Sequence, residues 1–232
     1  MAASGTVIAW VSAFLDLPAA SWERGVAFWT AVTATSLSPT RGPYDEFATL
    51  VPGDGEPFLR VQRIGSERPG VHLDLHRPGG AFAVRTSPGG FTFCENTPAG
   101  GSRPAPVDHG GHASLVDQVC LDIPPAGYDE ECAFWAATTG WELAPTSAPS
   151  MRQLVRPTGQ PLRILLQRRD EGDPPVTAHL DLAATDREAE VARHLALGAE
   201  VDGGGARWTR MRDPGGMLYC VTDRDPTTGL LP

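Results

Sequence analysis

The chain has little of what announces several protein classes. Its 232 residues include four cysteines, Cys94, Cys120, Cys132 and Cys220, and no two form a CxxC pair. That spacing gives no zinc cluster, and a disulfide framework is not expected in a chain of this length without a secretion signal. No apolar run approaches the roughly 18 residues that span a bilayer. The opening stretch VIAWVSAFLDLPAA has no basic start and is interrupted by Asp16. It reads as a strand rather than a signal peptide, with a cytoplasmic location expected. Positive charge is also short. A net charge of −9 with no basic stripe repels phosphate backbones and argues against nucleic acid as a partner. No Ser-His-Asp spacing and no phosphate-binding glycine loop stands out; GDGEP, DGGGAR and SPGG read as turns.

What the chain has is repetition. FLDLP at 14–18 returns as CLDIP at 120–124, and AFWTAVTATSLSP at 27–39 as AFWAATTGWELAP at 133–145. PFLRVQR at 57–63 resembles PLRILLQR at 161–168. VHLDLH around His72 returns as AHLDLA around His179, and SPGGFTFC at 87–94 as DPGGMLYC at 213–220. Five blocks in one order indicate a tandem duplication. The spacing is nearly constant until the last block, where the second copy inserts TDREAEVARHLALGA. This reads as a helix, with Thr185 and Glu188 as a capping box, Val191 and Leu195 on one face, and Gly198 as its stop. The first copy has only HRPGGA there, so that helix is missing.

A Pro/Gly/Ser-rich stretch divides the copies, which predicts a first domain over 1–97, a linker over 98–114 and a second domain over 115–232. His109 and His112 in the linker read as solvated. Within each copy the order is strand, helix, two strands, HLDL strand and a final hairpin around PGG. The first helices are expected from Ser21 to Thr33 and from Asp129 to Thr139, with Phe28, Trp29, Phe134 and Trp135 buried. Strands mixed with few helices predict an α+β fold, with enough chain for a sizeable core.

The blocks LDIPPAGYDEECAFWAATTGWEL, AHLDLAATDREAEVARHLALGAEV and WTRMRDPGGMLYCVTD, with their counterparts in the first copy, resemble the vicinal oxygen chelate superfamily. This is the glyoxalase, bleomycin-resistance and extradiol-dioxygenase group, and the closest likeness is to its glyoxalase-like branch. The resemblance implies two domains, each built from paired βαβββ modules that curl a sheet around a pocket. It implies a small-molecule ligand or substrate and no membrane partner, and leaves room for a homodimer. In metal-using members, ligands stand on three or four strands facing one cup. The matching positions are Gln118 and Ser12 on the first strand, His179 and His72 on the HLDL strand, and Cys220 and Cys94 where a terminal Glu belongs. A divalent metal would therefore rest on His179 and Gln118, with Cys in place of the expected carboxylate.

Strand alternation places polar residues on one face. Gln118, Cys120 and Asp122 share a face, as do His179 and Asp181; the leucines of HLDL face the other way, toward the helices. Asp122, His179 and Asp181 are the candidate catalytic set, because a histidine beside carboxylates titrates within reach of neutral pH. Gln118, Cys220, Trp208, His72, Asp16 and Asp74 are candidate ligand-binding residues. The bland alternative is that Asp16 and Asp122 bond the free N–H groups of the helix that follows. Three functions compete. One is a lyase- or isomerase-type enzyme acting on an oxygenated or carbonyl-bearing molecule. Another is a non-catalytic binder of drugs or metabolites, with Trp10, Phe14, Trp141, Trp208 and Tyr219 as stacking walls. The last is a metal-dependent dioxygenase or thiol transferase, which the missing Glu argues against.

Overall fold

The computed structural model describes residues 8–97, 99–173 and 175–232. The start of the opening strand segment and the first linker residue fall outside them. Among the described residues, strands form two mixed sheets. The first holds β1 (Trp10–Pro18), β2 (Ser36–Leu37), β3 (Phe47–Val51), β4 (Leu59–Ile64), β5 (Gly70–His76), β6 (Ala83–Thr86) and β7 (Thr92–Asn96), in the order β2-β3-β4-β1-β5-β7-β6. The second holds β8 (Val107–Asp108), β9 (Ala113–Ile123), β10 (Leu143–Pro145), β11 (Met151–Leu154), β12 (Arg163–Arg168), β13 (Thr177–Ala184), β14 (Glu200–Gly205), β15 (Trp208–Arg212) and β16 (Leu218–Thr222). Its order is β10-β11-β12-β9-β13-β16-β15-β14, with β8 on β9. Removing β8 and β14 leaves the same path twice, so the duplication read from the blocks is a duplication of topology. In each sheet the first strand pairs parallel with β4 or β12 and antiparallel with the HLDL strand.

Among the described residues, three α-helices accompany the sheets: α1 (Trp22–Thr33), α2 (Tyr128–Thr139) and α3 (Arg187–Ala196). No helix lies between β5 and β6, so the first copy lacks its second helix, as the sequence predicts. The caps differ from expectation. Asp186, not Thr185, caps α3, accepting from the Ala189 N–H at 2.9 Å; Thr185 instead pairs with the backbone of Ala113. Asp16 and Asp122 do not cap their helices, whose N-caps are Ser21 and Gly127. The two copies end their first helix at one left-handed residue, Ala34 (φ 48°) in one and Gly140 (φ 71°) in the other. Only glycine takes that conformation without Cβ crowding.

The leucine faces of HLDL pack differently from the prediction. Strands β5 and β13 touch each other, and Leu73, Leu75, Leu180 and Leu182 join one core cluster spanning both sheets. The helices cross between copies. On α1, Phe28 and Trp29 lie against Tyr219 of β16, and Trp29 Nε1 donates to Asp213 Oδ2 at 2.8 Å. On α2, Trp135 packs against Phe91 and Phe93 of the first copy, and Glu131 accepts from the Gly89 N–H. Each copy thus supplies the helix that covers the other's final hairpin. This reciprocal exchange ties the two sheets into one apolar core.

The face of α3 also departs from the pattern. Leu195 is 46% exposed, whereas Glu190 and His194 are fully buried. Glu190 collects Ser114, His112, Arg193 and His194, at 2.6 to 3.0 Å. His112 is therefore half-buried and paired with Glu190 of α3 rather than solvated, and His109 bonds Ser114 at 3.1 Å. A carboxylate with this many donors satisfies its buried oxygens and can replace an apolar contact.

Candidate functional site

Strand register builds the second-domain site. On β9, Gln118, Cys120 and Asp122 alternate onto the concave face. Opposite them on β13 stand Asp181 against Gln118 and His179 against Cys120. On β16, Cys220 pairs with Asp181. The predicted catalytic set therefore meets. His179 Nδ1 lies 2.7 Å from Asp122 Oδ2, and His179 Nε2 lies 3.3 Å from Asp181 Oδ1. Gln118 Nε2 donates to Asp181 Oδ2 at 2.5 Å. His179, Asp181 and Cys220 bring their ligand atoms within 4.8 Å of one another.

The electrostatics follow from this packing. Burial opposes a charge on His179, but hydrogen bonds to the carboxylates of Asp122 and Asp181 outweigh it and hold the imidazole pKa well above its ordinary value. Burial alone would raise Asp181; hydrogen bonds from His179 and Gln118 and the charge of Arg224 bring it below the usual carboxylate range. Burial pushes the Cys120 thiol up to about 12, and raises Cys220 too. Both are neutral thiols at physiological pH and poor nucleophiles.

Sequence reasoning missed Asp117 and Arg224. The register of β9 against β13 slips between Gln118 and Val116, so Asp117 is a bulge residue re-aimed out of the ladder. It is fully buried and takes a bidentate pair from Arg224, at 2.7 and 3.2 Å. Arg224 Nη1 is also 3.7 Å from Asp181. The signal was faint: one Asp before Gln118, and one Arg just after the last strand.

Other candidates fall elsewhere. Trp208 is 38% exposed on β15, paired in register with Thr222; no contact joins it to His179. Trp10, Trp141 and Tyr219 are core residues, not pocket walls. The first-domain candidates form their own group, with His72 Nδ1 2.8 Å from Asp16 Oδ2, and Asp74 beside Cys94 and Asn96. Phe14 stacks on His72 at 4.6 Å and 8°. A small cleft of about 50 Å³ lined by Val32, Leu50, Phe58, Leu115 and Leu182 lies between the copies and includes none of these polar residues.

The resemblance implies a metal at Gln118 and His179. The donor set fits a hard divalent ion poorly. Both ring nitrogens of His179 already face carboxylates, Gln118 offers an N–H to Asp181, and a buried guanidinium stands 3.7 Å from that carboxylate. A thiol occupies the position of the expected hard oxygen ligand.

Comparison with known proteins agrees with this architecture. Residues 118–222 match a glyoxalase-like domain. An extradiol ring-cleaving dioxygenase from B. fuscum superposes with a TM-score of 0.60 at 10% identity, over 97% of this chain and 75% of that one. A mutant 4-hydroxymandelate synthase from Streptomyces coelicolor gives 0.54 at 15% identity, over 94% and 93%. A xylose isomerase-like TIM barrel/4-hydroxyphenylpyruvate dioxygenase fusion protein gives 0.56 at 11% identity, and the chain spans only 49% of its length. No curated protein matches by sequence. The fold is the tandem βαβββ architecture of two cupped sheets. A glyoxalase-like domain lies in the second copy, and the whole chain shares its fold with these dioxygenase and synthase structures. No helix is long and apolar enough to cross a membrane among the described residues.

Proposed function

We propose that the second cup carries out proton transfer on a small carbonyl-bearing molecule, as a lyase- or isomerase-type enzyme. The observation that carries this is one imidazole held between two carboxylates, with Asp122 at 2.7 Å and Asp181 at 3.3 Å. The raised pKa makes the imidazolium the resting form at neutral pH. His179 then serves as the acid: its Nε2–H leaves the long contact with Asp181 and donates to the carbonyl oxygen of the substrate. Asp122, on the exposed side of the pair, accepts the proton from the adjacent carbon. The C–H electrons form the new C=C bond and the carbonyl π electrons move to oxygen, which takes the His179 proton. Return of a proton to a neighbouring carbon gives an isomer with no other reactant. Asp181, fixed by Gln118 and Arg224, keeps the imidazole charged and is a positioning residue. Several structural neighbours are dioxygenases, but Cys220 in place of a terminal carboxylate ligand favours proton transfer over dioxygen chemistry in this chain.

The test is deuterium exchange from solvent into a panel of small ketones, aldehydes and hydroxy acids, followed by NMR. The wild-type chain is expected to exchange at least one of them. His179→Gln should lower that rate by about 100-fold or more, the scale of general acid–base catalysis, in a variant that circular dichroism shows to be folded. Exchange equal in wild type and variant for every compound would sink the reading and favour a non-catalytic binding protein.

A further inference from the structure

The first cup repeats the strand positions of the second but fills them differently. At the heart of the second, Cys120 pairs in register with Leu165 on one side and His179 on the other. At the same positions of the first stand Phe14, Arg60 and His72. A thiol has become an aromatic ring, and an apolar side chain has become a guanidinium.

Arg60 is oddly placed. Its Nε is buried with no hydrogen-bond partner among the described residues. Its nearest carboxylate oxygen, on Asp74, is 4.0 Å away, beyond hydrogen-bond reach. Asp74 already accepts from Asn96 at 3.1 Å, and Asp16 is taken up by His72. A buried donor left unpaired is costly and uncommon in a native structure, and a ligand that supplies the acceptor accounts for it. The guanidinium carbon sits 5.7 Å from the centroid of the Phe14 ring, which stacks on His72 and meets Phe47 edge-on at 6.1 Å. Val84, paired with Cys94, is 59% exposed, and the nearby Phe82 is 66% exposed. The cup thus has an aromatic floor, one under-used planar fork of donors and an apolar rim.

We propose that the first cup is a binding site for a planar carboxylate, an aromatic or conjugated acid, whose carboxylate engages Arg60 and whose ring lies against the exposed Phe82 and Val84 of the rim. Arginine is suited to this pairing because its fork matches both carboxylate oxygens, which a lysine point charge does not. The site is separate from the second cup and does not depend on the proton-transfer reading.

Calorimetric titration of the full chain with benzoate, and with benzamide as its neutral isostere, tests the assignment. Benzoate is expected to saturate one site per chain and to bind at least about tenfold tighter than benzamide. Arg60→Leu installs the residue the sister cup tolerates at this position, and should weaken benzoate by about tenfold or more. Arg60→Lys should recover only part of that loss, and Phe82→Ser, at a 66% exposed position, should weaken benzoate while leaving the melting temperature close to that of wild type. His179→Gln should leave benzoate binding unchanged, which keeps this outcome distinct from that of the second cup. No saturation by about 20 mM benzoate, or unchanged affinity in Arg60→Leu, would overturn the proposal.

Discussion

Two cups in one chain start from the same strands and line them with different side chains. Both hold a histidine against the aspartate of the neighbouring strand, His72 with Asp16 and His179 with Asp122. Only the second wedges its histidine between two carboxylates, and only the second has a bulge that turns an aspartate toward a buried arginine. The helix α3 and strand β14 also occur only there. In the first cup the corresponding space is filled by a ring stack, and Asp74 is held by Asn96. A duplicated scaffold therefore keeps the strand positions, while three or four side chains give the two cups different charge and ring arrangements.

That contrast is open to attack at several points. The largest effect is expected in activity: His179→Gln should cut proton exchange by about 100-fold, and His72→Gln, measured in the same assay, should change it by less than about threefold. Equal losses would make the cups functional equivalents. Next comes the buried pair that only the second copy has. Arg224→Leu leaves Asp117 uncompensated and should cost about 3–5 kcal/mol in urea unfolding. Replacing both partners with the apolar pair Asp117→Val and Arg224→Leu should recover much of that loss. If the single variant costs under about 1 kcal/mol, the pair is exposed to water and holds nothing.

The charge states predict a pH dependence peculiar to the second copy. His179 has a folded pKa above its ordinary value, so its stabilising contribution is complete below about pH 6.5 and fades as pH rises through the raised value. Asp181 and Glu190 run the other way. Burial would raise Glu190, but Arg193, His194 and Ser114 hold it well below the carboxylate range. Their contribution is present above about pH 4.5 and is lost as pH falls. Thermal melts should therefore weaken on the acid side in wild type, and less so in Glu190→Gln. Exchange activity should persist through neutral pH and fall only in alkali, as His179 loses its proton. An activity maximum below pH 6 would contradict the imidazolium assignment.

A metal measurement sharpens the same comparison. Chain purified without chelators should carry well under one divalent ion, and chelator should leave exchange activity intact; near-stoichiometric metal lost in His179→Gln would restore the chelate mechanism. The smallest effect concerns the helix ends. Ala34→Gly gives the first copy the left-handed cap that Gly140 gives the second, and should stabilise by about 1 kcal/mol. Gly140→Ala should cost a similar amount, read by the same urea titrations.

Much of this was legible in the chain. Repeated blocks gave the two sheets, and PGG gave the final hairpins. Period-two alternation put Gln118, Asp122, His179 and Asp181 on one face, because in a strand neighbouring side chains must point to opposite sides. The insertion after the second HLDL gave α3. Those features are local, and local geometry is written residue by residue. Whether the pieces meet was not local. The sequence did not reveal that α1 covers the second hairpin and α2 the first, since both helices show the same aromatic pair to either partner. Nor did it show that α3 would bury Glu190 and His194 and expose Leu195, because that inversion needs Ser114 and His112 brought in from distant chain positions. Asp117 left the ladder through a one-residue slip between β9 and β13, which exists only once the strands are paired. The sequence by itself determined the strands, the duplication and the polar faces. Only the tertiary structure decided which charges would be buried together, because an ion pair or a raised pKa depends on neighbours that the chain order does not bring close.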